Sequence, residues 1–425
     1  MKTQTWNPQP YEEMVRVLES IAEKRQAQGA PRPDQLYYHL LARHHRRVLE
    51  AEARGQKRVA HAIMFPVEIF YAMDLVPYDL ETGSSTFMVL LRNYEELFSA
   101  AKAYGLNPDI CSVHRSVAGA FYRGWIPRPH AIVWSKQGCD NTAHIGQGIA
   151  ELTGAPGFCV DRPYRHRERE VAYYTQELEE LVTFLEEATG NRMDWDRLRE
   201  CLNFSGQMIR LQKEIYQLRK SRPSPAANRR APMLQAMNWQ YMGTPEGVEF
   251  CQAVRDELKE RVDKGEGPAP QEKYRLASFF PAPIHAWKIL DWMQREHGAT
   301  IVADPFLSHW GDWEPDPRHP LESIARRTFA IPSCRSMHGP VQEAVLQDAA
   351  RDSLEHQAQG AIYWANIGCP QGCGIMRAVK DAVVKGAGLP FFVINMDYGD
   401  PSFVSHEEIK ERLEEFFEVL AERPG

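Results

Sequence analysis

Two stretches of this chain alternate short apolar runs with helical segments, and that alternation admits few folds. In the first, residues 59–64 read as a strand ending at Phe65-Pro66, 67–75 as a helix and 76–80 as a second strand. Residues 131–134 and 157–160 read as two more strands, with the helical 141–152 between them. In the second stretch, strands are expected at 276–280, 300–303, 361–364 and 390–396, and helices at 285–297, 341–357 and 375–386. A crossover between parallel strands needs about the length of a helix, so such units build parallel sheets covered on both faces.

The chain has 425 residues, more than one core usually holds. The expected organisation is an N-terminal helical segment (1–56), broken by Pro31 and Pro33, and an α/β domain (57–167) carrying Cys111 and Cys139. A helical insert and linker (168–270) follows, interrupted at Arg222-Pro223-Ser224-Pro225. A second α/β domain (271–425) carries Cys369 and closes on the amphipathic 407–420. The fold class is therefore α/β, with two Rossmann/flavodoxin-like parallel-sheet domains flanking a helical insert.

A net charge of −7 gives no ground for a nucleic-acid or anionic-membrane partner. No apolar run approaches the ~20 residues of a membrane span, and residues 1–14 are polar, without a signal-peptide core. The expected address is cytoplasmic. Eight cysteines there argue for reduced thiols rather than a disulfide framework. Cys201 and Cys251, in helix-like stretches, and Cys159, in a strand-like one, read as small core hydrophobes. Cys334, in the loop-like Pro332-Ser333-Cys334-Arg335, carries no assigned role.

Cys111, Cys139 and Cys369 each sit where an apolar strand-like run gives way to a turn, and Cys111, after the Asn107-Pro108-Asp109 turn, is expected to open a helix. In an open parallel sheet, ligands gather at the carboxyl ends of strands, where helix N-termini point their amides outward. Local positive potential there favours the thiolate that a metal requires. Three thiolates suit a 4Fe-4S cluster with one iron left open, whereas structural zinc usually takes cysteine pairs close in sequence. Taken singly, each of these cysteines is more often structural, so spacing alone leaves cluster, zinc and core readings open.

The segments Asp109-Ile110-Cys111-Ser112-Val113-His114-Arg115-Ser116, Gly138-Cys139-Asp140, Asp161-Arg162-Pro163-Tyr164 and Ala365-Asn366-Ile367-Gly368-Cys369-Pro370-Gln371 stand in a characteristic order. With Phe65-Pro66-Val67-Glu68-Ile69-Phe70-Tyr71-Ala72 and the tail Asn395-Met396-Asp397-Tyr398-Gly399-Asp400-Pro401, the chain resembles the 2-hydroxyacyl-CoA dehydratase and benzoyl-CoA reductase family. Each motif is weak alone; their order makes the set specific.

The resemblance implies that Cys111, Cys139 and Cys369 bind a 4Fe-4S cluster and that the substrate is an acyl-CoA. It also implies a heterodimer with a homologous second subunit, fed by a separate ATP-hydrolysing iron-sulfur activator. Consistent with that division, the sequence holds no Gly-x4-Gly-Lys-Ser/Thr phosphate loop, and Lys385-Gly386-Ala387-Gly388 reads as a helix C-cap. One electron entering the thioester-conjugated system would give a ketyl-type radical anion, easing either loss of a 2-hydroxyl or reduction of an aromatic ring. Arg222-Pro223-Ser224-Pro225 and Glu272-Lys273-Tyr274-Arg275-Leu276 lean mildly toward the reductases.

Cys373 departs from the family pattern. It lies one helical turn past Cys369, so it is a candidate extra metal ligand, or with Cys159 a ligand of the double-cubane cluster that one branch of the family uses. His114, one turn after Cys111, is the candidate proton donor, with a packed histidine as its alternative. Arg115 is a candidate for CoA phosphates, against the commoner salt bridge. Asn366 is expected to orient a ligand or shape a turn, and Asp397 and Asp400 to bind solvent or cap a helix. Competing functions are a double-cubane reductase of a small molecule and a noncatalytic partner subunit stabilised by metal.

Overall fold

A computed structural model describes residues 5–135, 139–339 and 345–423. Strands β1 (Arg58–His61), β2 (Val76–Asp79), β3 (Ala131–Ser135) and β4 (Gly157–Val160) form one parallel sheet in the order β2-β1-β3-β4. Strands β5 (Tyr274–Phe279), β6 (Ala299–Ala303), β7 (Gly360–Asn366) and β8 (Phe391–Met396) form a second, in the order β6-β5-β7-β8. Counted within its own half, each sheet runs 2-1-3-4, so the chain is α/β with the same doubly wound order used twice. The order reverses between the first and third strand of each sheet, which opens a crevice at their carboxyl ends.

Both faces of the first sheet are covered, which is why its strands read as unbroken apolar runs. Val59, Ala131 and Val133 face a core built with Leu178, Leu202 and Met237 from the helices that follow β4. Their neighbours Ala60, Ile132 and Trp134 face the opposite core, with Tyr11, Met14 and Leu18 of the N-terminal helix and Val117 and Phe121 of the helix Ser112–Tyr122. The helical stretch after β4 therefore walls one face of the first sheet. The second sheet has its own core, including Leu276, Phe279, Ile362, Trp364, Ile394 and Leu413.

Local departures from the sequence reading have physical causes. The expected split into two helices falls at Pro31, between Gln9–Ala27 and Arg32–Glu50, and Pro33 is not part of the break. It lies in the first turn of Arg32–Glu50, where a missing N–H costs nothing. The strand expected through residue 80 ends at Asp79, whose carboxylate accepts from Thr82 N–H at 2.7 Å and caps the helix Leu80–Leu91. Cys334 lies in the helix Pro332–His338 rather than a loop. The helix expected at 341–357 appears as Gln347–Glu355; its residues 341–344, like Gly138, lie outside the described residues. Gly388, at φ 68°, forms the expected C-cap in the left-handed conformation.

Candidate functional site

All three singled-out cysteines occupy the residue just before a helix. Cys111 precedes Ser112–Tyr122, and its carbonyl accepts from His114 N–H at 2.9 Å and Arg115 N–H at 3.1 Å. Cys139 precedes Asp140–Thr153 and Cys369 precedes Pro370–Ala387. The Cys369 sulfur itself serves as the cap, accepting from Gly372 N–H at 3.3 Å. Cys139 follows β3 and Cys369 follows β7, equivalent positions at the reversal point of each sheet.

The two crevices merge into one cavity of about 320 Å³, and all three thiols line it. Segments leaving the carboxyl ends of seven strands contribute to its wall: Met64 after β1, Glu81 after β2, Cys139 after β3, Phe280 after β5, Phe306 after β6, Asn366 with Cys369 from the end of β7, and Met396 with Tyr398 from the end of β8. Most of the remaining wall is apolar, including Leu18, Ile21, Leu41, Trp239 and Trp287.

Polar contacts hold the cysteine loops of the two halves together. Asn366 Nδ2 donates to Cys111 Sγ at 3.4 Å, and Asn141 Nδ2 donates to the Gly368 carbonyl at 2.9 Å. Gly399 N–H donates to Ser112 Oγ at 2.8 Å. Gly368 packs so tightly that a Cβ there would lie 2.5 Å from both Cys111 Cα and Cys111 N. Arg115 does not reach for phosphate. Its guanidinium is buried, paired with Asp400 at 3.0 Å and Asp397 at 3.4 Å, and lies over the Phe98 ring. That pairing also settles the two aspartates, which tie the tail after β8 to the helix that Cys111 caps.

Burial dominates the electrostatics. It pushes the Cys139 thiol well up, with the nearby Cys369 and Cys111 adding to the rise. Burial likewise pushes Cys369 up to about 12 against the opposing Gly372 N–H. For Cys139 and Cys369 in the protein alone, desolvation thus outweighs the helix amides that would favour the thiolate. His114 moves the other way. Burial opposes its charge, but Cys111 and Glu81 together hold it protonated, up to about 9. Thr142 Oγ1 donates to Glu81 Oε1 at 3.0 Å, which leaves the hydroxyl to accept from His114 Nε2 at 3.2 Å.

No group of three or more His, Cys, Asp or Glu among the described residues converges on a point, as a lone metal ion would require. The donor set does fit an iron-sulfur group, whose metal corners stand apart. Three soft sulfurs share one wall, and Asn366 Nδ2 and Gly372 N–H already donate to two of them.

Cys373 stands differently. It is exposed, it is not on the cavity wall, and its thiol turns to the Asn366 carbonyl at 3.4 Å. Cys159 is half-buried beside the first sheet's core, while Cys201 and Cys251 are core residues as expected. Cys334 is buried against Met64 Sδ at 3.6 Å. Sequence reasoning missed Glu81, Thr142 and Asn141. A carboxylate two residues past the end of β2 was the available signal for Glu81; Thr142 and Asn141 lie in the first turn of the helix after Cys139, where side chains face the same crevice.

Residues 62–420 match the family model for 2-hydroxyglutaryl-CoA dehydratase, D-component. The chain is 24% identical over 413 residues to a benzoyl-CoA reductase subunit of Thauera aromatica, covering 90% of this chain and 93% of that one. It is 21% identical over 386 residues to the (R)-phenyllactyl-CoA dehydratase alpha subunit of Clostridium sporogenes, covering 88% and 91%. It is also 21% identical over 405 residues to the (R)-2-hydroxyisocaproyl-CoA dehydratase alpha subunit of Clostridioides difficile, covering 90% and 95%.

Proposed function

Because the chain belongs to the 2-hydroxyglutaryl-CoA dehydratase D-component family, we propose that it is the iron-sulfur subunit of an enzyme that dehydrates or reduces a CoA thioester. In this reading Cys111, Cys139 and Cys369 hold a 4Fe-4S cluster. The observation that carries it is the meeting of three thiols, each on the residue just before a helix and drawn from both halves of the chain, in one largely apolar cavity.

When bound, such a cluster supplies a low-potential electron and, at an iron free of protein thiolate, a Lewis-acidic position. The chain's own residues do the rest. Leu18, Ile21, Leu41, Trp239 and Trp287 exclude water and suit an apolar acyl group. Arg229, a cation on the same wall, is paired with Asp34 at 2.7 Å and Asp291 at 3.2 Å, so it offers little to a second substrate carboxylate. Glu81, through Thr142, fixes the His114 ring and keeps a proton on Nε2. The Asn366 amide and Gly372 N–H orient the sulfurs of Cys111 and Cys369.

Relatives that are themselves named as single subunits of such dehydratases and of a reductase support a second, homologous subunit. Electrons then come from a separate ATP-hydrolysing iron-sulfur activator. The test is the visible spectrum of oxygen-free protein titrated with an apolar acyl-CoA such as benzoyl-CoA or phenyllactyl-CoA. The proposal expects iron-sulfur absorption that the thioester perturbs and free CoA does not. A colourless chain after reconstitution, or a spectrum indifferent to every thioester tried, contradicts it.

A further inference from the structure

A second cavity, of about 380 Å³, lies next to the first and has the opposite chemistry. Arg25, Arg229, Arg230, Arg261 and Arg295 line it, with Asp34 and Asp291 as its acidic residues. The two cavities are walled in part by the same elements. On the helix Gln9–Ala27, Leu18 and Ile21 face the apolar cavity, and Arg25, one turn further along, faces the basic one. On the helix Lys288–Glu296 and the residue before it, Trp287 lines the first cavity, while Asp291 and Arg295, at successive spacings of four, line the second. Arg229 belongs to both walls. From Leu18 to Arg25 the helix advances roughly 10 Å.

Charge in the second cavity is not balanced from within. Arg229 and Arg230 share Asp34, at 2.7 and 2.8 Å; Arg229 also meets Asp291, and Arg230 and Arg261 share Glu257, each at 2.8 Å. Five guanidiniums therefore face three carboxylates. Arg25 lies over the Tyr38 ring, and among the described residues neither Arg25 nor Arg295 has an ion-pair partner. Among the described residues the buried Arg229 Nε also lacks a hydrogen-bond partner. Guanidiniums with free donors are the preferred hosts of phosphate.

We infer that the two cavities are consecutive compartments of one channel, and that the arginine-lined compartment takes the phosphate-bearing end of the thioester's carrier. This rests on the CoA-thioester reading above. The acyl group lies against the cysteine wall, the pantetheine arm follows the faces of the two helices, and the nucleotide phosphates meet Arg25 and Arg295 at the far end. It also gives the phosphate role, which Arg115 does not fill, to arginines that have donors free.

The experiment is calorimetric titration of the full chain with CoA, with pantetheine, which lacks the phosphates, and with inorganic diphosphate, which lacks the arm. Arg25→Ala and Arg295→Ala each weaken CoA about tenfold, about 1.4 kcal/mol, and together about a hundredfold. Pantetheine affinity stays unchanged in the double variant, and R25K/R295K recovers most of the loss. CoA affinity indifferent to both arginines, diphosphate binding as tightly as CoA, or no CoA binding to the wild-type chain overturns the inference. An iron-bearing, thioester-responsive chain that ignores the arginines refutes this inference alone, whereas a colourless chain refutes the proposed function.

Discussion

Replacing Gly368 by alanine perturbs a close backbone approach between the two cysteine-bearing halves. The added methyl would lie 2.5 Å from Cys111 Cα and N, whereas ordinary contact begins at 3.4 Å. The obstacle is backbone at the start of a helix and cannot swing aside as a side chain would. The loops must therefore part by about 1 Å, which carries the Cys111 sulfur away from Cys369 and lengthens the Asn366–Cys111 contact beyond its present 3.4 Å. Overpacking of this kind costs about 1–3 kcal/mol. A displacement of about 1 Å at a reacting centre costs on the order of 100-fold in rate. Gly374, six residues on in the helix Pro370–Ala387, is the control: a Cβ there meets nothing within 4 Å. Gly374→Ala should stabilise by about 0.5–1 kcal/mol on helix propensity alone. The assay is the thermal midpoint together with iron and sulfide per chain after identical anaerobic reconstitution. G368A is expected to lower the midpoint and lose iron, and G374A to raise the midpoint and keep iron. Full iron and an unshifted midpoint in G368A would refute the argument that this contact sets the spacing of the sulfurs.

Arg115→Met leaves the buried Asp397 without its cation and should cost about 3 kcal/mol; the double variant R115M/D397N should recover most of it in a denaturant titration, and additive losses would count against the pairing. Arg327 and Glu68 form a fully buried pair, braced by the Ser205 hydroxyl donating to Glu68 at 2.5 Å, so Arg327→Met should destabilise by about 3–5 kcal/mol, and a change under 1 kcal/mol would contradict that reading. Acid should loosen the first sheet's surroundings, because burial pushes His45 down to about 3 and His61 to about 4, and His44, with its neighbours His45 and His61 adding to the fall, in the same direction. The sign follows from the folded values lying below the unfolded value near 6.5: the unfolded chain takes up protons first. Stability held above pH 6.5 is then lost as pH falls toward 4, by about 1.4 kcal/mol per histidine per pH unit. Urea midpoints that stay flat between pH 7.5 and 5.5 would refute it.

The strands of both sheets were legible because a parallel sheet covered on two faces leaves largely apolar runs, as in Ala131–Ser135 and Ala299–Ala303. The cysteines stood out because each follows such a run or a turn and opens a helix. Leu80–Leu91 was missed: it is buried on several sides, so Gly83, Ser84 and Ser85 hid it among turn-forming residues. With that helix went Glu81, whose partners Thr142 and His114 lie on other helices. No local pattern carries the approach of Gly368 to Cys111, since the two come from different halves. The fate of Arg115 is of the same kind, because Asp397 and Asp400 reach it only after both sheets have formed. Cys373 lies at a spacing that permits it to share a face with Cys369, yet the first turn of the helix points its thiol toward a carbonyl instead.

The proposed function requires Cys111, Cys139 and Cys369, and not the chain's other thiols, as the iron-sulfur ligands. Iron and acid-labile sulfide per chain, measured on oxygen-free wild-type protein and on the single alanine variants of Cys111, Cys139, Cys369 and Cys373, tests it most directly. About four of each are expected in the wild type and in C373A, and a sharp loss in each of the other three. About eight irons, zinc in place of iron, or full iron in any one of C111A, C139A and C369A would contradict it.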